Sequence, residues 1–411
     1  MAEGLDKNSW FWIDSQDEFD QLVQQWSASD EIALDTEFHR EKTYYPRLAL
    51  LQVGWAGKVA LIDPIKIDLA PLKQLFACPV LVILHAGIQD LEILSRVVGA
   101  VPAKIFDTQL AAGFIGYSNP SLALLSERIL AVALPKGDRL TDWTKRPLSQ
   151  SQLRYAASDV SNLIELKHVI EQDLIRMNRL DWALDESRIL LERDRSQVPL
   201  ERAWWKIREC KHLKGDSRKV AQTLAAWREE RAARLDIPPR YVIPDLAIAV
   251  ISQDMPNSVS RLGTLRGVEH RHLANGVDQE IINAVNLGRS LPDEALMLPV
   301  TEEGDKNLKV ISSLATLWVS QLAQHLRVDP ALLATRSDIS EYLRGDPRSR
   351  LSKGWRNDVL GVALSKMARG ELAVAVNQYG ELELELRSHN LFVPVSRDFR
   401  GEGAPSTELA F

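Results

Sequence analysis

Residues 31–54 read EIALDTEFHREKTYYPRLALLQVG, and the reading of this stretch decides the fold. Ile32, Ala33 and Leu34 form an apolar run of strand length that leads straight into Asp35-Thr36-Glu37. A polar turn region follows, then a second apolar strand over residues 47–55. Two acids one residue apart on an extended chain point to the same side, because the pleat repeats every second residue. Two anions on one face repel unless a cation lies between them. On this stretch alone two readings stand: a metal site, or solvated acids closing an edge strand.

Working outward, Phe19, Leu22, Val23 and Trp26 predict a helix over 16–27. The run 58–63 (KVALID) predicts a strand, joined to 47–55 through Ala56-Gly57 as a hairpin. A helix over 69–77 precedes 80–86 (VLVILHA), whose unbroken apolar character predicts a strand buried on both faces. Asp90, Leu91, Ile93, Leu94 and Val97 mark the next helix, Ile105-Phe106 a short strand, and the pattern from Asp107 to about 197 is mostly helical. This order predicts an α/β domain, a mixed sheet flanked by helices. Beyond 200 the strand signals stop. Residues 201–290 read as helices interrupted by Pro238-Pro239, Pro244 and Gly263, residues 291–305 as a linker, and residues 306–390 as a second all-α domain. Residues 391–411 read as a flexible tail.

At 411 residues the chain has room for two or three domains. The net charge of −6 makes the whole molecule no obvious polyanion binder, yet residues 201–240 hold eleven Lys or Arg against six Asp or Glu. Two distant cysteines, Cys78 and Cys210, argue against a disulfide framework or a structural zinc site and predict a reducing cytoplasm. The first twenty residues are too acidic for a signal peptide, and no run reaches the ~18 apolar residues of a membrane span.

Two further acids extend the opening pair. Asp90 follows the buried strand in HAGIQD, and Asp159 lies in YAASDV with Tyr155 four residues before it, on one helical face. Taken singly each has a plain explanation, since an acid at a helix start is favoured by the dipole alone. In order and context the pieces DTEFHREKTYYPRLALLQ, ALIDP, HAGIQDLEIL, FDTQLAA, LTDWTKRPLSQSQLRYAASDV and GWRNDVLG resemble the ribonuclease D family, in the tyrosine branch of the DEDD exonuclease superfamily. The departures are Gln89, where the family often has an acid, and Asn162, where an aromatic is usual. The resemblance implies a ribonuclease-H-like exonuclease domain over 1–200, and it implies catalysis by Asp35, Glu37, Asp90, Asp159 and Tyr155.

Four carboxylates with no His or Cys ligand suit hard cations, Mg²⁺ or Mn²⁺, rather than zinc. Two such ions about 3.5–4 Å apart clamp a phosphodiester for in-line hydrolysis. Asp35 is expected to bridge both, Glu37 and Asp159 to complete one, and Asp90 to hold the other. With an ordinary pKa of ~10, Tyr155 is a poor base, so its expected task is orienting the attacking water. His85 reads either as a structural histidine or as a substrate contact. The resemblance implies that Thr36 and Phe38 hold the 3′-terminal nucleotide, Phe38 by stacking or wedging against a base, although Phe38 as plain core fits equally. Arg40, Lys42, Tyr44 and Tyr45 interleave basic and aromatic residues, as an RNA path or a solvated loop would.

Residues 211–256 resemble the helicase-and-RNase-D C-terminal domain, HRDC, through the helix around Trp227-Arg228-Glu229 and the turn Pro239-Arg240-Tyr241. Arg218, Lys219, Arg228, Arg231, Arg234 and Arg240 are its candidate phosphate contacts, with a solvated helix face as the alternative. Residues 306–390 resemble a second such domain through Gly354-Trp355-Arg356. The expected function is metal-dependent 3′→5′ exoribonuclease action in the cytoplasm, releasing nucleoside 5′-monophosphates from RNA such as tRNA precursors. No obligate protein partner and no membrane is implied. The rivals are a 3′→5′ DNA exonuclease of the helicase-associated type and a non-catalytic RNA-binding module.

Overall fold

The computed structural model describes residues 10–135, 141–195, 199–299 and 306–387. The residues read as a flexible tail, 391–411, lie outside these. The chain divides into two units, Met1–Glu303 with Arg327–Leu332 and Gly304–Leu326 with Leu333–Phe411.

The first unit is built on six strands: β1 (Phe11–Ile13), β2 (Glu31–His39), β3 (Arg47–Trp55), β4 (Lys58–Ile62), β5 (Leu81–Leu84) and β6 (Lys104–Asp107). They lie in the order β1-β4-β3-β2-β5-β6. β2, β3 and β4 form an antiparallel meander, while β5 and β6 join parallel to β2, and β1 parallel to β4. The sheet is therefore mixed. Ala56 and Gly57 turn the β3–β4 hairpin with φ of 45° and 74°, the left-handed pair that a two-residue hairpin loop requires. β1 is three residues long and carries no periodic signal in the sequence.

Alternation along β2 and β3 sends Ile32, Leu34, Leu51 and Val53 to one face. There they pack with helices α1 (Gln16–Ser27), α2 (Leu72–Ala77) and α3 (Ile88–Val97) through Phe19, Trp26, Leu72, Phe76, Leu91 and Leu94. Trp26 meets Phe19 and Trp55 edge-on, at 6.2 and 5.5 Å between ring centres. Chain order continues with α4 (Thr108–Gly113), α5 (Leu122–Leu130), α6 (Gln150–Ser161), α7 (Leu163–Arg176) and α8 (Leu180–Glu192). α6 packs on β2, β3 and β4, and α7 on β2, β3 and β5.

The remainder of this unit is helical: α9 (Asp216–Leu235), α10 (Pro239–Val242), α11 (Asp245–Asp254), α12 (Val259–Leu262) and α13 (Val277–Ser290). Val220, Leu224, Ile248, Ile251, Ile281 and Val285 make its core. The start of the segment read as a linker is tied to this bundle: Gln222 on α9 donates to the Ala295 carbonyl at 2.9 Å and accepts from the Met297 amide at 2.8 Å. The second unit has helices at Lys306–Leu326, Arg336–Leu343 and Val362–Ala368. It differs from the all-α expectation by a hairpin, Leu372–Val376 paired antiparallel with Leu382–Leu386. The LELEL alternation of the second strand is the signal, and the preceding helical stripe masked it.

Candidate active site

Asp35 and Glu37 stand near the end of β2, on the face covered by α6. That helix comes very close. Ala33 and Gly54 are cross-strand partners, and a Cβ on Gly54 would lie 2.8 Å from the Val160 carbonyl oxygen. A close approach of backbone to backbone is what glycine permits here. α6 starts in a capping box, with Ser149 accepting from the Gln152 amide at 3.2 Å while Gln152 accepts from the Ser149 amide at 2.9 Å. One oxygen each of Asp35, Glu37 and Asp159 then lie within 4.8 Å of one another.

Asp90 arrives from the opposite side of the sheet on the first turn of α3, and it is 6% exposed. The Thr36 hydroxyl, pointing away from Asp35 by the pleat, donates to Asp90 Oδ1 at 2.5 Å. The start of α3 is fixed by Asp107, whose carboxylate accepts from the amides of Ala86 and Gly87 at 3.2 and 2.8 Å. It also accepts from Gln109 and Leu110 at 2.9 and 3.1 Å. One buried side chain thus caps α4 and holds the turn that delivers Asp90.

The electrostatics follow from crowding. Burial, then the charges of Asp90, Asp159 and Glu37, hold the Asp35 carboxyl well above the ordinary carboxylate range. Burial raises Asp90 to about 6, opposed by the Thr36 hydrogen bond, and raises Asp159 to about 7. The donor set is all oxygen, which fits a hard cation. Gln52 points the same way: it is the cross-strand partner of Asp35, fully buried, and among the described residues neither its amide oxygen nor its nitrogen has a hydrogen-bond partner. A buried orphan amide costs ~1–3 kcal/mol unless a ligand sphere meets it.

Tyr155 precedes Asp159 by one turn of α6, with its ring centre 6.1 Å from that of the buried Trp143. Trp143 belongs to the TDWTKRPL stretch, which Arg146 anchors. The Arg146 guanidinium takes Asp63 in a fork, Nε–Oδ2 2.8 Å and Nη2–Oδ1 2.7 Å, and also donates to the Ala49 and Trp143 carbonyls. ALIDP, TDWTKRPL and YAASDV are in this way one physical assembly beneath Tyr155.

The remaining candidates fare differently. His85 donates or accepts through Nδ1 at Thr108 Oγ1, 2.9 Å away, and Thr108 itself donates to the Leu84 carbonyl. The Pro120 carbonyl lies near the ring, and burial lowers the basicity of the imidazole. Phe38 is half-buried with the Arg40 guanidinium 5.5 Å over its ring, so it is not plain core. Arg228 and Arg231 require a correction. Arg228 is 4% exposed and donates to Asp245 at 2.6 Å and to the Ile243 carbonyl. Arg231 pairs with Glu280 at 2.7 Å. Both guanidiniums tie the helical bundle together through Nη1, Arg228 from a buried position. Gln52, Asp63, Asp107 and Arg146 escaped the sequence reading; Gln52 had a signal, a lone amide inside the apolar run LALLQV.

A family model described as 3′-5′ exonuclease matches residues 10–175, and one described as HRDC domain matches residues 217–283. Ribonuclease D of Zymomonas mobilis subsp. mobilis is 32% identical over 382 residues, 89% of this chain and 95% of that protein. Ribonuclease D of Bartonella henselae is 31% identical over 351 residues, 84% of this chain and 86% of its own length. The crystal structure of Escherichia coli RNase D, described as an exoribonuclease involved in structured RNA processing, superposes with a TM-score of 0.79. It is 29% identical, and the match covers 88% of this chain and 99% of that one. With relatives this similar along nearly their whole length, and with the acids converging on one strand end, the chain belongs to the ribonuclease D family.

Proposed function

We propose that this 3′→5′ exoribonuclease works through Asp35, Glu37, Asp90 and Asp159 as holders of two divalent ions, Mg²⁺ or Mn²⁺, with Tyr155 beside them. The observation that carries this reading is the convergence of Asp35, Glu37 and Asp159 within 4.8 Å. Ions of this kind supply an activated water and neutralise charge on the phosphate and the leaving 3′-oxygen. Asp35, flanked by Asp90 and by the Glu37–Asp159 pair, would help to hold both ions. Thr36 fixes the Asp90 carboxylate, so its hydroxyl positions an acid as well as bordering the terminal nucleotide. The Tyr155 hydroxyl, backed by Trp143, orients the attacking water. Phe38 with Arg40 on its ring offers a face for the terminal base.

The substrates proposed are structured RNAs with 3′ tails, such as tRNA precursors. The proposed division is an exonuclease domain over 1–200, HRDC over 201–290, a linker over 291–305 and a second HRDC-like domain over 306–390. No described helix is long and apolar enough to cross a membrane.

The test is hydrolysis of short 3′-tailed RNA and its DNA counterpart, with Mg²⁺ and with chelator. Metal-dependent release of nucleoside 5′-monophosphates from RNA is expected, lost in Asp35→Asn while RNA is still bound. An active Asp35→Asn enzyme removes the site assignment, and equal turnover of DNA removes the preference for RNA.

A further inference from the structure

A cleft of about 630 Å³ opens between the exonuclease fold and the first helical bundle. Its walls carry Arg40, Tyr44 and Tyr45 from the β2–β3 connection, Arg96 from α3, and Arg195 and Lys206 from the segment leading to α9. Two elements that build the acid site run on into it. Arg40 lies three residues beyond Glu37, and Arg96 six residues beyond Asp90, roughly 9 Å along the helix.

The cleft is charged and held in shape. Its four cations face two carboxylates, Glu92 and Glu229, and Glu229 is occupied in accepting from the Tyr44 hydroxyl at 2.9 Å. Asp236, at the end of α9, accepts from the Tyr44 and Tyr45 amides at 3.2 and 3.3 Å and from Arg47 at 2.5 Å. The loop is thereby pinned to the bundle. Arg195 donates to the Leu190, Leu191 and Arg193 carbonyls, a cation fixed at the end of α8. Arg40 and Arg96 are exposed, and each lies over an aromatic ring: Phe38 at 5.5 Å and Tyr45 at 3.1 Å. Guanidiniums spread on aromatic planes keep their outer N–H donors for phosphate, and together with the ring they form a surface on which a base stacks.

Resting on the exoribonuclease reading, we infer that this cleft takes the ribose-phosphate backbone just upstream of the 3′-terminal nucleotide. Arg40, Arg96 and Lys206 contact its phosphates, and the Tyr45–Arg96 stack supports a base. A volume in the range of small-molecule pockets, about 300–1,000 Å³, admits a short single-stranded stretch. The first helical bundle thus grips RNA through the wall it lends this cleft, in place of Arg228 and Arg231.

The experiment compares the full-length protein with Arg40→Ala/Lys206→Ala and with Arg96→Gln, on oligoribonucleotides of two to eight nucleotides. KM is read from initial rates. Binding is read separately by fluorescence anisotropy in an Asp35→Asn background, at several salt concentrations. Octamer binding is expected to weaken roughly tenfold in the double variant, with the penalty shrinking towards the dinucleotide. The slope of log affinity against log salt should flatten by about 1.4 for two lost phosphate contacts on a single strand. Folded variants with unchanged octamer affinity and unchanged slope overturn the cleft while leaving the exoribonuclease reading intact. A parent enzyme that degrades none of these RNAs overturns both.

Discussion

Arg146 and Asp63 are joined by two hydrogen bonds of 2.8 and 2.7 Å, although 83 residues of chain separate them. Asp63 is fully buried and Arg146 about one-fifth exposed. Removing one partner of such a pair leaves an uncompensated charge and costs ~3–5 kcal/mol. Arg146→Met is therefore expected to lower the melting temperature strongly, and Asp63→Asn in the same chain to recover part of the loss. Turnover should also fall, because the stretch carrying Trp143 loosens under Tyr155. A double variant no more stable than Arg146→Met would dissociate the two residues.

Gly54→Ala tests the closeness of α6. The new methyl would meet the Val160 carbonyl at 2.8 Å, so the helix must retreat. Overpacking of this kind costs ~1–3 kcal/mol, and a displacement near 1 Å at the reacting groups costs about 100-fold in rate. Thermal melts and initial rates give both numbers. A fully active Gly54→Ala enzyme would show that the helix position is not critical.

Gln52→Leu separates stability from function. The amide has no hydrogen-bond partner among the described residues, so replacing it with an apolar side chain of similar size should raise the melting temperature measured in chelator. The same change should raise the Mg²⁺ concentration needed for half-maximal activity. A lower melting temperature would mean that the amide is satisfied.

Without metal, stability should fall as pH rises. An unfolded chain ionises these aspartates near 3.8, whereas the folded protein keeps protons on Asp90 to about 6 and on Asp159 to about 7. Between those values the folded state binds more protons, so the stabilisation present below pH 3.8 is lost as pH climbs through the window. Melting curves from pH 5 to 8 in chelator should show the decline, and Asp159→Asn should reduce it. Added Mg²⁺ should reverse it. A flat profile in chelator would contradict the crowding of these acids.

The sheet and the helices on its first face were legible because their signals are local. The apolar run Ile32-Ala33-Leu34 of β2, the Ala56-Gly57 turn and the unbroken apolar stretch of β5 each announce an element from a few residues. Asp35 and Glu37 on one side of a strand follow from the pleat alone. What the chain conceals is pairing across distance. Nothing near Asp63 points to Arg146, and nothing near Asp107 shows that it accepts four amides from two separate turns. Arg228 illustrates the reverse error: a basic helix reads as a phosphate grip until Asp245, seventeen residues on, is seen to hold it.

α6 is the last part of the acid site to be made, and it must settle on β2, β3 and β4 before Asp159 meets its partners. A nascent chain that has left the ribosome only as far as α5 has Asp35, Glu37 and Asp90 but neither Asp159 nor Tyr155. The cluster is therefore assembled in two instalments, and only the packing of α6 on the sheet completes it.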